Sequence, residues 1–227
     1  MRFTDRWIKQ DGSYQKSQAY KIRTNRTVIF TEKQEDGSCD TVQLDFLLDE
    51  QQEAIFSEEY KPANVDECKK IDLTAIVYQL IPGTKDIDSE TPFTIYLYDV
   101  KDSVRGNEMI FHLIEQWRAG IQNALDFTRY AEENHYHIGV ITRNYDSEWL
   151  AKQIEDYRSQ TERYKRQEHL PRLVRAKSGA QQLRVKEQLK ILEEFQNRTF
   201  RYRKQQYYYD YRQLDQEHFY KFVLKAD

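Results

Sequence analysis

A chain of 227 residues suits one domain of fair size, or one domain plus an appendage. With 32% charged and 39% hydrophobic residues and a mean hydropathy of -0.93, it is too polar for a plain compact sphere and implies an extended or two-sided helical element. Seven Gly and four Pro disfavour disorder and a loop-rich all-β fold, and Cys39 and Cys68 alone cannot build a four-cysteine zinc site or a dense disulfide framework. The opening MRFTDRWIKQDG lacks the apolar core of a signal peptide, and no stretch reaches the about 18 apolar residues of a membrane span. These features lead us to expect a soluble, cytoplasmic protein that makes no use of a membrane.

In chain order, TVIF (27–30) and TVQLDFLL (41–48) are β-branched and aromatic runs, and the polar stretch between them, with Asp36-Gly37, predicts a hairpin. LLDEQQEAIFSEEY then reads as a short helix ended by Pro62. IDLTAIVYQLI, bounded by Pro82-Gly83, and PFTIYLYDV are strand-like by length and residue type. Gly106 and Asn107 precede an amphipathic helix over 108–134, in which Ile110, Ile114, Trp117, Ile121 and Leu125 recur at spacings of three and four. HIGVITRNY (137–145) is a further strand, and strand, helix, strand with a helix of this length implies a crossover and parallel pairing.

The last third reads as helical. Leu150, Ile154, Tyr157 and Tyr164 form one stripe, HLPRLVRAKSG interrupts it, and a second polar helix runs from about Gln181 into FRYRKQQYYYDYRQL. The expected organisation is an α/β core over 1–146, with a mixed central sheet and an N-terminal hairpin, and a basic, Tyr-rich helical region over 147–227.

Charge follows the same division. Residues 158–204 hold 14 Lys and Arg against 5 Asp and Glu, whereas the remainder holds 21 against 33. A segment with that excess suits a polyanion, or a solvated helix that needs charge for solubility. The Tyr-rich run interleaves aromatics with Arg198, Arg201, Arg203 and Lys204. That combination can stack bases and contact phosphates; equally, the tyrosines can pack on the core or on a second subunit.

The chemistry-bearing pattern lies in the two central strands. Asp72 opens the first, and Asp99-Val100-Lys101 closes the second. If the strands are neighbours, Asp72 stands beside Asp99, and because side chains alternate, Asp99 and Lys101 project together while Val100 points away. Two carboxylates and a backbone carbonyl are hard oxygen ligands suited to Mg²⁺ or Mn²⁺, and a lysine two residues on can orient an attacking water or stabilise developing charge. Acid-x-Lys also occurs at Glu59-Tyr60-Lys61 and Glu67-Cys68-Lys69, but only the third copy ends an apolar strand and leads into a helix.

This order of residues and elements, over roughly 71–145, resembles the PD-(D/E)XK nuclease superfamily, whose pattern is an acid on one core strand, then (Asp or Glu)-x-Lys on the next, then a helix and a strand. Ile71 stands where the named proline would be. The Gln-x-x-x-Tyr signature of some branches has no match, since Gln116 is followed at that spacing by Gly120 and Gln122 by Asp126. The resemblance implies a restriction-endonuclease-like sheet. It also implies a divalent ion held by Asp72, Asp99 and the Val100 carbonyl, catalysis by Asp72, Asp99 and Lys101, and a further acid from among Glu50, Glu53, Glu58 and Glu59. Its implied substrate is nucleic acid, DNA ahead of RNA, and small members often act as homodimers or with a protein partner, here through the C-terminal helices.

The other reading of the sequence is a non-catalytic binding or assembly protein that docks through those helices. Arg129 and His135 loosely resemble the Arg-x(4–6)-His pattern of HEPN ribonucleases, although His135 precedes a strand here. Neither Gly-x-x-x-x-Gly-Lys-(Ser/Thr) nor Gly-x-Ser-x-Gly occurs, which removes support for ATP-driven work and for a serine-hydrolase elbow.

Overall fold

A computed structural model describes residues 20–22, 27–33, 39–58, 71–84, 88, 90–128, 134–166, 172–214 and 219–225. These fall into two compact units. The first draws on Met1–Asp102, Glu115–Arg143 and Tyr209–Asp227, the second on Ser103–Ile114 and Asn144–Tyr208.

The first unit contains β1 (Tyr20–Ile22), β2 (Thr27–Lys33), β3 (Cys39–Leu47), β4 (Gln52–Glu58), β5 (Leu73–Gln79), most of β6 (Phe93–Val104) and most of β7 (Asn134–Tyr145). It also takes the later turns of helix α1 (Asn107–Phe127), the end of β9 (Gln205–Gln213), and β10 (Phe219–Lys225). Its main sheet runs β1-β4-β5-β6-β7-β9, and a three-stranded sheet runs β10-β3-β2. The main sheet is mixed: β4–β5 and β5–β6 are antiparallel, while β7–β9 is parallel. The chain is therefore α/β, and β6, α1 and β7 form the strand, helix and neighbouring strand that the sequence predicts.

β5 and β6 are central because their sequences leave no face for water. Leu73–Tyr78 and Phe93–Val100 are buried without a break, as near-continuous apolar strands are when both faces are covered. On one face Leu73, Ala75, Val77, Tyr96, Tyr98 and Val100 join Val42 and Leu44 of β3 in one core cluster. The other face of β6 meets α1, where a Cβ at Gly120 would stand 3.1 Å from Leu97 Cδ2, and Trp117 lies 4.8 Å from the ring of Tyr209. Pro82 and Gly83 close the loop after β5 in a turn with a Thr84 N–H to Ile81 O bond of 3.0 Å. Gly83 supplies the positive φ of 76° that the third position of a type II turn requires.

The second unit holds α2 (Ser147–Arg166), α3 (Arg172–Gln196), β8 (Thr199–Tyr202) and the start of β9. Asp146 caps α2, its Oδ1 accepting the Trp149 N–H at 2.8 Å. Leu150 and Ile154 of α2 and Val185, Leu192 and Phe195 of α3 are buried, and Arg158 donates to Glu193 at 2.8 Å across the two helices. α3 stops where Arg198 takes a left-handed φ of 56°. β8 and β9 then pair as a tight hairpin with Phe200 stacked on Tyr207, centroids 5.5 Å apart. Arg203 and Lys204 form its two-residue turn with φ of 47° and 68°, the signs of a type I′ turn, at a cost of about 1–2 kcal/mol for each non-glycine residue.

Two helices read from the sequence are strands. Gln52–Glu58 pairs along β5 as β4, where the apolar run Ala54-Ile55-Phe56 and the open edge of β5 override the helical preference of the flanking Glu and Gln. The Tyr-rich run is the β8–β9 hairpin rather than a continuation of α3. Its tyrosines alternate, with Tyr207 and Tyr209 buried and Tyr208 and Asp210 exposed, so period two governs. Downstream, β10 adds in parallel to β3, so the region 147–227 is not wholly helical. α3 also begins at Arg172, inside the stretch read as an interruption, while Pro171 lies outside the described residues. The Asp36-Gly37 turn falls outside them too, though β2 and β3 pair antiparallel as expected.

Gly139 is a packing requirement: a Cβ there would come within 2.4 Å of Tyr98 Cε1 and 3.1 Å of Asp210 O, and Tyr98 is buried and cannot swing away. Gly139→Ala should lower the unfolding free energy in denaturant melts by about 3 kcal/mol. Gly179→Ala, in α3 with nothing within 4 Å, should raise it by roughly 0.5–1 kcal/mol.

Candidate active site

The register of β5 on β6 sets Leu73 opposite Tyr98 and Thr74 opposite Leu97. One step further, Asp72, immediately before β5, faces Asp99. Alternation puts Asp99 and Lys101 on the same side of β6 as Leu97, while Val100 turns into the core cluster. The sequence motif is thus assembled by backbone pairing, and no loop needs to be ordered to form it.

The contacts are short. Asp72 Oδ2 accepts the Val100 N–H at 2.8 Å and the Lys101 ammonium at 3.1 Å. Lys101 Nζ also lies 3.5 Å from Asp99 Oδ1. The cluster is graded in depth: the side chain of Asp72 is 27% exposed, that of Lys101 17%, and that of Asp99 fully buried.

Asp99 is the unusual member. Neither of its carboxylate oxygens makes a well-formed hydrogen bond. Burial pushes its acid from 3.8 to about 8, because removal from water penalises the anion. Lys101 and the Asp72 backbone act against that shift, and the Asp72 carboxylate adds to it. Burial thus favours the protonated acid at Asp99 more than at an exposed aspartate, and Lys101 stands nearer Asp72 (3.1 Å) than Asp99 (3.5 Å).

As a ligand set the cluster offers hard oxygens, the donor type for Mg²⁺ or Mn²⁺, and Asp99 brings two of them without competing hydrogen bonds. Among the described residues no group of three or more His, Cys, Asp and Glu side chains converges, so two carboxylates are what the side chains provide.

Two of the candidates for a further acid, Glu50 and Glu53, are placed away from them. Glu53 accepts the Tyr78 hydroxyl at 2.9 Å, Glu50 sits in the exposed turn before β4, and Glu58 pairs in register with Leu73. Glu59 lies outside the described residues, as does Arg129. His135 is exposed on β7, and His137 stacks on Tyr96 with centroids 4.8 Å apart.

Arg198, Arg201, Arg203 and Lys204 are all exposed in the second unit. Arg201 pairs with Glu194 at 3.2 Å, and Arg203 lies 5.4 Å from the Tyr202 ring centre. Gln116, which fails the Gln-x-x-x-Tyr spacing, is only 4% exposed, one helical turn before Gly120 on the face of α1 that covers Leu97. The sequence signal of that burial is a glutamine inside an apolar stripe.

The raised acid of Asp99 makes a signed prediction. Its contribution to stability is fully present below 3.8 and is lost as pH rises through about 8, because the native state binds the extra proton across that window. In EDTA, wild-type stability should therefore fall from about pH 5 to about pH 9 more steeply than that of Asp99→Asn. Parallel curves for the two proteins in thermal melts would show that Asp99 ionises normally. Neither models of known protein families, nor curated proteins, nor solved structures give a match to this chain, so the site stands on its own geometry.

Proposed function

We propose that the chain is a metal-dependent nuclease that hydrolyses phosphodiester bonds, in DNA ahead of RNA, at the Asp72–Asp99–Lys101 cluster. The observation that carries this reading is Asp99: a fully buried carboxyl with no well-formed hydrogen bond to either oxygen, set by strand register beside a second carboxylate and a lysine. Burying a carboxyl is costly, Lys101 at 3.5 Å offsets only part of that cost, and a bound divalent cation would offset more. The meander β4-β5-β6 followed by α1 and β7 supports a restriction-endonuclease-like sheet type.

Asp72, Asp99 and the Val100 carbonyl would hold Mg²⁺ or Mn²⁺. When bound, such an ion supplies Lewis acidity to the phosphoryl oxygen and acidifies a water. Lys101, within 3.5 Å of both carboxylates, orients the nucleophilic water and offsets charge on the phosphorane oxygens. Arg198, Arg201, Arg203 and Lys204 supply phosphate contacts, and α2 and α3 the surface for a second copy or a protein partner.

A second reading, a non-catalytic binding or assembly protein, is favoured by one observation. Lys101 already closes an ion cluster with the two aspartates, as a purely structural site would.

Incubation of plasmid and single-stranded DNA with Mg²⁺, Mn²⁺ or EDTA separates the two. Cleavage should require the metal and fall by at least about 10²-fold in Asp99→Ala and in Lys101→Ala, with circular dichroism unchanged. Mn²⁺ should also raise the melting temperature of the wild type and not of Asp99→Ala. If no DNA is cut and Mn²⁺ leaves the wild-type melting temperature where it was, the second reading stands.

A further inference from the structure

Among the described residues three non-glycine positions have a left-handed backbone, and all three are cations: Arg198, Arg203 and Lys204. Gly, Asn and Asp take that conformation most readily, so long cationic side chains there run against local preference. Such strain, held in place by the surrounding structure, marks positions kept for another purpose. The three occur within seven residues, and the stretch Phe195–Tyr209 contains no Asp or Glu.

The same hairpin has two unlike faces. Phe200 and Tyr207 stack on the buried side. On the other, the register sets Thr199 opposite Tyr208 and Arg201 opposite Gln206. Tyr208 is 70% exposed, and its hydroxyl accepts the Gln206 amide at 3.3 Å, which steadies the ring edge while leaving the ring in solvent. An exposed aromatic face diagonal to Arg201, which Glu194 holds at 3.2 Å, on a paired strand with a cationic tip suits an unstacked base and its flanking phosphates.

We infer that the β8–β9 hairpin is a binding site for single-stranded nucleic acid, with Tyr208 as the stacking platform and the Arg203–Lys204 tip as the phosphate contact. A duplex does not meet the requirement, because its bases are covered by their neighbours and offer no open π-face. This inference takes its ligand class from the nucleic-acid reading above but does not depend on cleavage.

Fluorescence anisotropy in EDTA tests it, using labelled oligothymidylate and oligouridylate of about 20 nucleotides, longer than one such site. A duplex of the same length serves as comparison. Single strands should bind more tightly than duplex, and the thymidylate and uridylate arms show whether the sugar matters. Tyr208→Ala should weaken single-strand binding roughly tenfold, and Tyr208→Phe should restore most of it.

Arg203→Asn combined with Lys204→Gly installs the residue pair preferred in a type I′ turn, so its melting temperature should hold or rise. Its affinity should fall, and its salt slope should drop by about 1.4, as for two lost phosphate contacts on a single strand. Absence of single-strand binding, equal binding of duplex, or a Tyr208→Ala affinity matching wild type would each overturn the inference. Because no metal is present, those results leave the cleavage reading untouched, and a failed cleavage assay leaves this one untouched.

Discussion

The pairing of β5 on β6 governs both the core and the site of the first unit. With Leu73 against Tyr98, every second residue of the two strands enters the cluster shared with Val42 and Leu44, and the remaining ones face α1. A slip of one residue would exchange those faces, putting Asp99 and Lys101 into the apolar cluster and Val100 in their place. The apolar cluster therefore holds the two acids and the lysine together. Their geometry inherits the rigidity of the central strands.

This is why the site was legible in the sequence. Asp72 and Asp99-Val100-Lys101 stand at the ends of two apolar runs, and period-two alternation assigns their faces before any coordinates are known. β5, β6, α1 and β7 were legible for the same reason, since their apolar periods are long and unbroken. The expected face of α1 is buried at Ile110, Ile114, Trp117 and Ile121, and half-buried at Leu125. What the sequence could not show was depth. Nothing in the tripeptide distinguishes a partly exposed Asp72 from a fully buried Asp99, because depth is set by what packs on the strand and not by the strand's own sequence.

The misreadings have a common cause. In both Gln52–Glu58 and Gln205–Gln213, residues with good helical propensity lie among β-branched or aromatic ones, and the neighbouring strand decides. The Tyr-rich run also lacks the glycine or asparagine that announces a tight hairpin. Its turn is built from Arg203 and Lys204 instead, so the usual signal was missing where the structure is most strained.

Among the described residues, two places set local preference against the fold without a neighbouring strand to account for it. One is a carboxyl buried at the end of β6 without hydrogen bonds to its oxygens; the other is a set of cations in backbone conformations that glycine would adopt more readily. Asparagine at position 99 would remove the first, and glycine would ease the backbone at each of Arg198, Arg203 and Lys204. Sequences agree with their folds except where function imposes a cost. The two exceptions lie in different units, and each answers to its own proposal: a divalent ion would offset the buried carboxyl, and a phosphate backbone would offset the cations.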